Sequence, residues 1–223
     1  MDGKDYLIIL GAPKCGTSSL SAWMRDWPDT AVAERKETLF FTDYARRAWS
    51  GPSGAMFTDT APRSDADFAA QFAHAPGARL RVEASTDTLS APGACARIRA
   101  FADRPDVGRV RLVAVLRDPV DRIVSEFEHT LRLGFQRRNL LRSLRLEEQR
   151  RAAGWVPLFA HVARSRYHAG LAPFRDAFGD DLLILDFHRL TEDATRARLA
   201  AFAGVDPGAA PARGAAGARV RRG

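Results

Sequence analysis

Lysine is scarce in this chain: of 34 basic residues only Lys4, Lys14 and Lys36 are lysine, and arginine supplies the rest. Lysine where arginine is the default marks a need for a compact, three-donor point charge. Cysteine is just as sparse. Cys15 and Cys95 give neither a zinc-ligand spacing nor a disulfide framework, and Cys15, although close to a helix start, reads as an unreactive loop residue. Long apolar runs are missing as well. The early run "YLIIL" falls far short of the roughly 20 residues that cross a bilayer, and no basic stretch with a small-residue cleavage site surrounds it. A cytoplasmic protein without a membrane span is expected. Arginines crowd 132–151 and the last eleven positions and contribute to a net charge of +7, but no aromatic interleaving or nucleic-acid motif accompanies them. They read as solvated faces, and nucleic acid is not an expected partner.

What is present describes an ordinary globular composition, 46% hydrophobic and 27% charged over 223 residues, which excludes a disordered or fibrous chain. That length suits a single domain burying roughly 70% of its unfolded surface. Strand and helix signals alternate. "YLIIL" (6–10), "RLRVEAS" (79–85), "RVRLVAVL" (109–116) and "DLLILDF" (181–187) read as strands, with helices near 17–27, 91–103, 120–133, 138–153 and 159–178. Leu20, Trp23, Met24 and Trp27 fall on one face of the first helix. Apolar strands alternating with helices predict an α/β fold of three α/β/α layers around a parallel sheet, with ligands bound beyond the strand C-termini. The stretch 49–76 reads as a connection with little strand content. A domain over 1–205 is expected, followed by a flexible Gly/Ala/Arg tail over 206–223.

Two segments carry the chemistry. "GAPKCGTSS" (11–19) has the glycine spacing of a nucleotide-binding phosphate loop, with Ser18 where such a loop places its magnesium-binding hydroxyl. The loop lysine, however, is displaced: Thr17 stands in its position and Lys14 lies inside the loop. Glycines permit the tight turn, and amides of the loop and first helical turn then face a phosphate or sulfate. The second segment, "RDPVDRIVSEF" (117–127), ends a strand at Arg117 and puts Ser125 two turns into the helix that Pro119 helps to start. An arginine fork and a hydroxyl in one crevice make a receptor for a separate phosphate. The competing reading of this segment is an Asp118–Arg122 pair at the helix start.

The combination of "LGAPKCGTSSL", "KETLFF" and "VLRDPVDRIVSEF" resembles the PAPS-dependent sulfotransferases (PAPS is 3′-phosphoadenosine 5′-phosphosulfate), especially the branch of heparan sulfate enzymes and related bacterial proteins. It extends over roughly 6–190, including "SRYHAGLAPFRDAFGDDLLILDFHRL". The resemblance implies a P-loop-like fold in which Lys14, Cys15, Gly16, Thr17 and Ser18 surround the 5′-phosphosulfate, while Arg117 and Ser125 hold the 3′-phosphate. It also implies Glu37 as the base that deprotonates a hydroxyl or amine of a glycan or small-molecule acceptor. Lys14 would stabilise the leaving phosphate without a metal, because the transferring group carries less charge than a phosphoryl group. His129 is the rival base, ahead of His161, His168 and His188. Two departures stand out: Ala84 follows Glu83 where the heparan-type enzymes carry a lysine, and only "ARGAAGARVRRG" is left to act as their basic, glycine-rich closing segment. Alternative readings are a P-loop nucleotide kinase, with "LLILD" imitating a Walker B strand, and an inactive nucleotide-binding protein. Arginines of 137–151 and the connection 42–74 are expected to flank the acceptor pocket.

Overall fold

The computed structural model describes residues 3–54, 61–137 and 139–210. Five parallel strands, β1 (Lys4–Gly11), β2 (Thr30–Val32), β3 (Leu80–Ala84), β4 (Val107–Leu116) and β5 (Leu182–Asp186), form one sheet in the order β2-β3-β1-β4-β5. Flanking helices complete three α/β/α layers: α1 (Thr17–Met24), α2 (Asp65–Ala70), α3 (Ala94–Ala102), α4 (Pro119–Arg132), α5 (Leu140–Arg145), α6 (Glu147–Ala152), α7 (Tyr167–Phe178) and α8 (Asp193–Ala203). Leu7, Ile8, Ile9 and Leu10 of β1 are fully buried, as a central strand covered on both faces requires.

The connections decide where a ligand can sit. From β1 the chain runs out to β2 at one edge, whereas from β4, which pairs with β1, it continues to β5 at the other. The crevice beyond the C-terminal ends of β1 and β4 is therefore the topological switch point, where open α/β sheets bind ligands. Both motif segments begin there, the first after Gly11 and the second after Leu116.

The structure refines several expected elements. The first helix ends at Met24, although Trp27 is still buried. The helix expected over 138–153 divides into α5 and α6 at Leu146. That expected over 159–178 begins only at Tyr167, after short 3-10 turns at Pro157–Phe159 and Ala163–Ser165. Among the described residues, β2, α2 and α8 had no counterpart in the sequence reading, nor did the 3-10 turn Tyr44–Arg46. Residues 55–60 of the connection and 211–223 of the tail lie outside the described residues. No helix among the described residues is long and apolar enough to cross a membrane.

Candidate active site

The loop after β1 turns at Gly11, with φ 144°, where an added Cβ would lie 2.6 Å from the Thr86 carbonyl oxygen. Gly16, with φ 81°, occupies the N-cap of α1, and a Cβ there would meet Leu190 at 2.9 Å. Glycine is thus required at both. No side chain caps α1 and its first turn holds no acidic residue, so the amides and positive dipole end are left available to an anion. Lys14, held at φ 66°, lies half-buried in the cleft that these amides face. Burial and the neighbouring Arg132 push its pKa down, against the pull of Glu126. Cys15 is different: its side chain is fully buried, its Sγ lies 3.9 Å from the Tyr167 hydroxyl, and burial pushes the thiol pKa up. Cys15 is not among the residues that line the cleft, unlike Lys14, Gly16, Thr17 and Ser18.

Across the crevice, Asp118 opens α4 by accepting from the amides of Val120 at 2.8 Å and Asp121 at 3.0 Å. The Asp118–Arg122 pair does not form, because Arg122 turns inward and bonds Ser165 Oγ at 2.6 Å and Glu126 at 2.8 Å. Arg117 instead faces the cleft. Its guanidinium lies 4.9 Å from the Phe187 ring centroid and 3.4 Å from Asp121, and its buried Nε has no hydrogen-bond partner among the described residues. Ser125 lines the same cleft from the next turns of α4.

Glu37 arrives from the opposite side. After β2 the chain passes over β3, with Glu37 N donating to the Ala84 carbonyl at 2.8 Å. Phe40 and Phe41 anchor this segment, Phe40 stacking on Phe68 of α2 at 4.1 Å and Phe41 meeting Phe101 of α3 edge-on at 5.3 Å. The backbone at Glu37 and Leu39 takes φ values of 63° and 58°. The Glu37 carboxylate is fixed by the Thr86 amide at 2.7 Å, by Thr86 Oγ1 at 3.0 Å, and by an ion pair with Lys36. Beneath it, fully buried Glu83 accepts from Thr38 Oγ1 at 2.7 Å and from Ser85, and burial pushes its carboxyl up to about 7.

Lys14, Gly16, Thr17, Ser18, Glu37, Arg117, Ser125 and His129 thus line one cleft of about 530 Å³. His129 has its pKa lowered by burial and by Lys14 and Arg132. Among the described residues no group of three or more His, Cys, Asp and Glu side chains stands close enough to hold a metal ion.

Sequence reasoning missed the charged floor of this cleft. Glu126, fully buried, binds Arg122, His161 at 3.1 Å and Arg164 at 2.7 Å. Burial alone would raise its carboxyl, but Arg164, His161 and Arg122 hold it at about 2. Arg164 also meets Asp87 at 2.6 Å, and burial still pushes Asp87 up to about 6. The i,i+4 spacing of Arg122 and Glu126 was the available signal, although such spacing usually marks an exposed pair. No described residue of 137–151 or 42–74 lines this cleft, but Tyr44, Arg47, Trp49 and Arg151 line a neighbouring cavity of about 420 Å³ that shares Arg164 with it. Arg150 instead stacks on Trp155 at 4.9 Å and bonds Ser143 at 2.9 Å, and Arg151 pairs with Glu148 at 2.7 Å.

No protein-family model matches the chain, and no curated protein does. Solved structures do. A sulfotransferase from Alicyclobacillus acidocaldarius is 30% identical, superposes with a TM-score of 0.81, and aligns over 90% of this chain and 81% of its own. The sulfotransferase domain of the Synechococcus PCC 7002 olefin synthase shares the fold at 15% identity and a TM-score of 0.58, over 92% of this chain and 74% of that one. Identity and coverage at the level of the Alicyclobacillus protein, on a chain whose loop after β1 and whose β4–α4 segment meet at the sheet's switch point, show that the chain belongs to the sulfotransferases.

Proposed function

We propose that the protein transfers a sulfuryl group from PAPS to an acceptor hydroxyl or amine, with Glu37 as general base and Lys14 stabilising the leaving phosphate. The observation that carries the donor assignment is the pairing of two separate anion receptors in one cleft. An uncapped α1 with Lys14 lines the same cleft as Arg117 and Ser125. One nucleotide with phosphates at both its 5′ and 3′ positions satisfies both receptors. A hollow of about 310 Å³ that shares Gly16 and Phe187 with the cleft, and includes Trp23, offers apolar walls for a base.

PAPS supplies an activated sulfur bound to oxygen. The acceptor oxygen forms the new O–S bond as the bond between sulfur and the bridging phosphate oxygen breaks, the acceptor proton passes to Glu37, and 3′-phosphoadenosine 5′-phosphate departs. The two Thr86 contacts that fix the Glu37 carboxylate in the cleft lining support this role. The Lys14 ammonium and the α1 amides meet the charge that develops on the leaving phosphate, inside a partly dehydrated site where such contacts are strong. The kinase reading loses its acidic partner: the Asp186 carboxylate accepts from the His188 amide at 2.8 Å and does not line the cleft.

Calorimetry tests the donor. 3′-Phosphoadenosine 5′-phosphate is expected to bind without magnesium, and adenosine 5′-phosphate much more weakly. Tighter binding of ATP with magnesium would overturn the assignment.

A further inference from the structure

The neighbouring cavity of about 420 Å³ shares Arg164, and no other lining residue, with the cleft. Its walls come from the 3-10 turn at Tyr44 and the chain on to Trp49, from Leu89 and Ser90 after β3, from the end of α6 and from the first turn of α7. Arg47, Arg151, Arg164 and Arg166 line it, and no described carboxylate does. The cleft differs in this respect, since Glu37, Asp87 and Glu126 all belong to its wall.

The carboxylates near these arginines stand outside the cavity's lining. Arg47 meets Asp43 and Arg151 meets Glu148, each at 2.7 Å. Both arginines are exposed, and ion pairs at exposed positions contribute at most about 1 kcal/mol, so their remaining donors are open to a ligand. Arg164 is held from the cleft side by Asp87 at 2.6 Å and Glu126 at 2.7 Å. Glu147, buried behind Ala163, accepts from the amides of Val162 and Ala163 at 2.8 Å. Arg166 forms no side-chain hydrogen bond or ion pair among the described residues. It also precedes α7, whose first turn has neither a capping side chain nor an acidic residue. An anion entering this cavity meets guanidinium donors and the positive end of a helix, and no carboxylate repels it.

The remaining wall selects the body that carries the charge. Trp49 meets Tyr44 edge-on at 5.1 Å, and the Arg47 guanidinium lies 5.7 Å from the Trp49 ring centroid. Trp155 and Tyr167 add two more rings, and Leu89, Pro92 and Pro157 add hydrocarbon. A saccharide needs a partner for each hydroxyl it buries, and Ser90 is the one aliphatic hydroxyl in this lining. An aromatic body needs none, and it packs well against indole, phenol and guanidinium surfaces.

We propose that this cavity is a binding site for a compact aromatic acid, its carboxylate met by the arginines, among them the unpaired Arg166, and its rings by the wall of Trp49 and Tyr44. The site is separate from the cleft beyond β1 and β4 and does not depend on the sulfuryl-transfer reading of that cleft.

Ligand-observed NMR titration tests it with three probes: 2-naphthoate, 2-naphthalenemethanol, which has the rings without the charge, and glucuronate, which has the charge on a saccharide. The naphthoate is expected to bind about tenfold or more tightly than either, the gain from a hydrogen bond to a charged group. Arg166→Gln and Arg47→Gln, both at exposed positions, should each weaken it roughly fivefold or more. Lys14→Gln, in the cleft, should leave its affinity unchanged. Comparable binding of the alcohol, tighter binding of glucuronate, no binding of the naphthoate, or an unchanged affinity in Arg166→Gln would overturn the proposal. A loss of affinity in Lys14→Gln would overturn it too, by placing the acid in the cleft.

Discussion

Lys14, Glu37 and Leu39 hold positive φ values of 66°, 63° and 58°, a conformation that costs a non-glycine residue energy and persists only where the surroundings enforce it. Each borders the cleft. The enforcing contacts are visible for Glu37, whose carboxylate is tied to Thr86 and whose amide is tied to Ala84. Arg117 is arranged differently, with Phe187 beneath its guanidinium and an unpartnered Nε inside. Its replacement by alanine is expected to leave the fold intact. It should weaken a 3′-phosphorylated nucleotide by about 1.5–3 kcal/mol, the range for hydrogen bonds to a charged group. Titration calorimetry with nucleotides that have and lack the 3′-phosphate checks this. An equal loss for both would assign Arg117 a structural role.

At the scale of elements, the β4–α4 unit shows what a sequence makes legible. Pro119 at the first helical position, Asp118 before it and the apolar strand ahead of them mark the strand end and helix start, and α4 begins where they indicate. Asp118→Ala removes the one carboxylate oxygen that accepts from two orphan amides and is expected to cost about 1 kcal/mol of stability in urea denaturation, the usual price of an N-cap. A loss of only a few tenths would show that solvent caps the helix as well. β2 was not legible because three residues, "TAV", are too few to show a period. α8 was hidden by composition: its alanines and arginines give a weak apolar stripe, although Leu199, Ala200 and Ala203 are buried and Gly204 ends it in the left-handed conformation. The Arg122–Glu126–Arg164 floor was illegible for another reason. Its members lie on α4 and a distant 3-10 turn, and charged side chains are by default read as solvated.

Across the whole molecule, the buried carboxyls set how stability responds to pH. Glu83 has its pKa raised from 4.5 to about 7. Below pH 4.5 the folded and unfolded chains both hold this proton, and it contributes nothing. As pH rises from there to about 7 only the folded chain keeps it, so stability falls across that window and levels off above it. Glu126 acts in the opposite sense: lowered to about 2, it contributes stability that is lost as pH falls below 4.5. Glu83→Gln keeps an acceptor for Thr38 and Ser85 but carries no charge. Denaturant unfolding should find it matching the parent near pH 4.5 and more stable at pH 8, by up to roughly 3 kcal/mol. No gain at pH 8 would contradict the account of Glu83.

The central claim is that Glu37 removes the acceptor proton, and the turnover rate of Glu37→Gln with labelled PAPS tests it most directly. Glutamine keeps the size and the contact with Thr86 but does not accept the proton, so the rate is expected to fall by about 10²- to 10⁴-fold, the contribution of a positioned general base. Affinity for 3′-phosphoadenosine 5′-phosphate should hardly change, because Lys14, Arg117 and Ser125 are untouched. A near-normal rate in this variant, with a collapse in His129→Asn measured beside it, would contradict the account and move the base to α4.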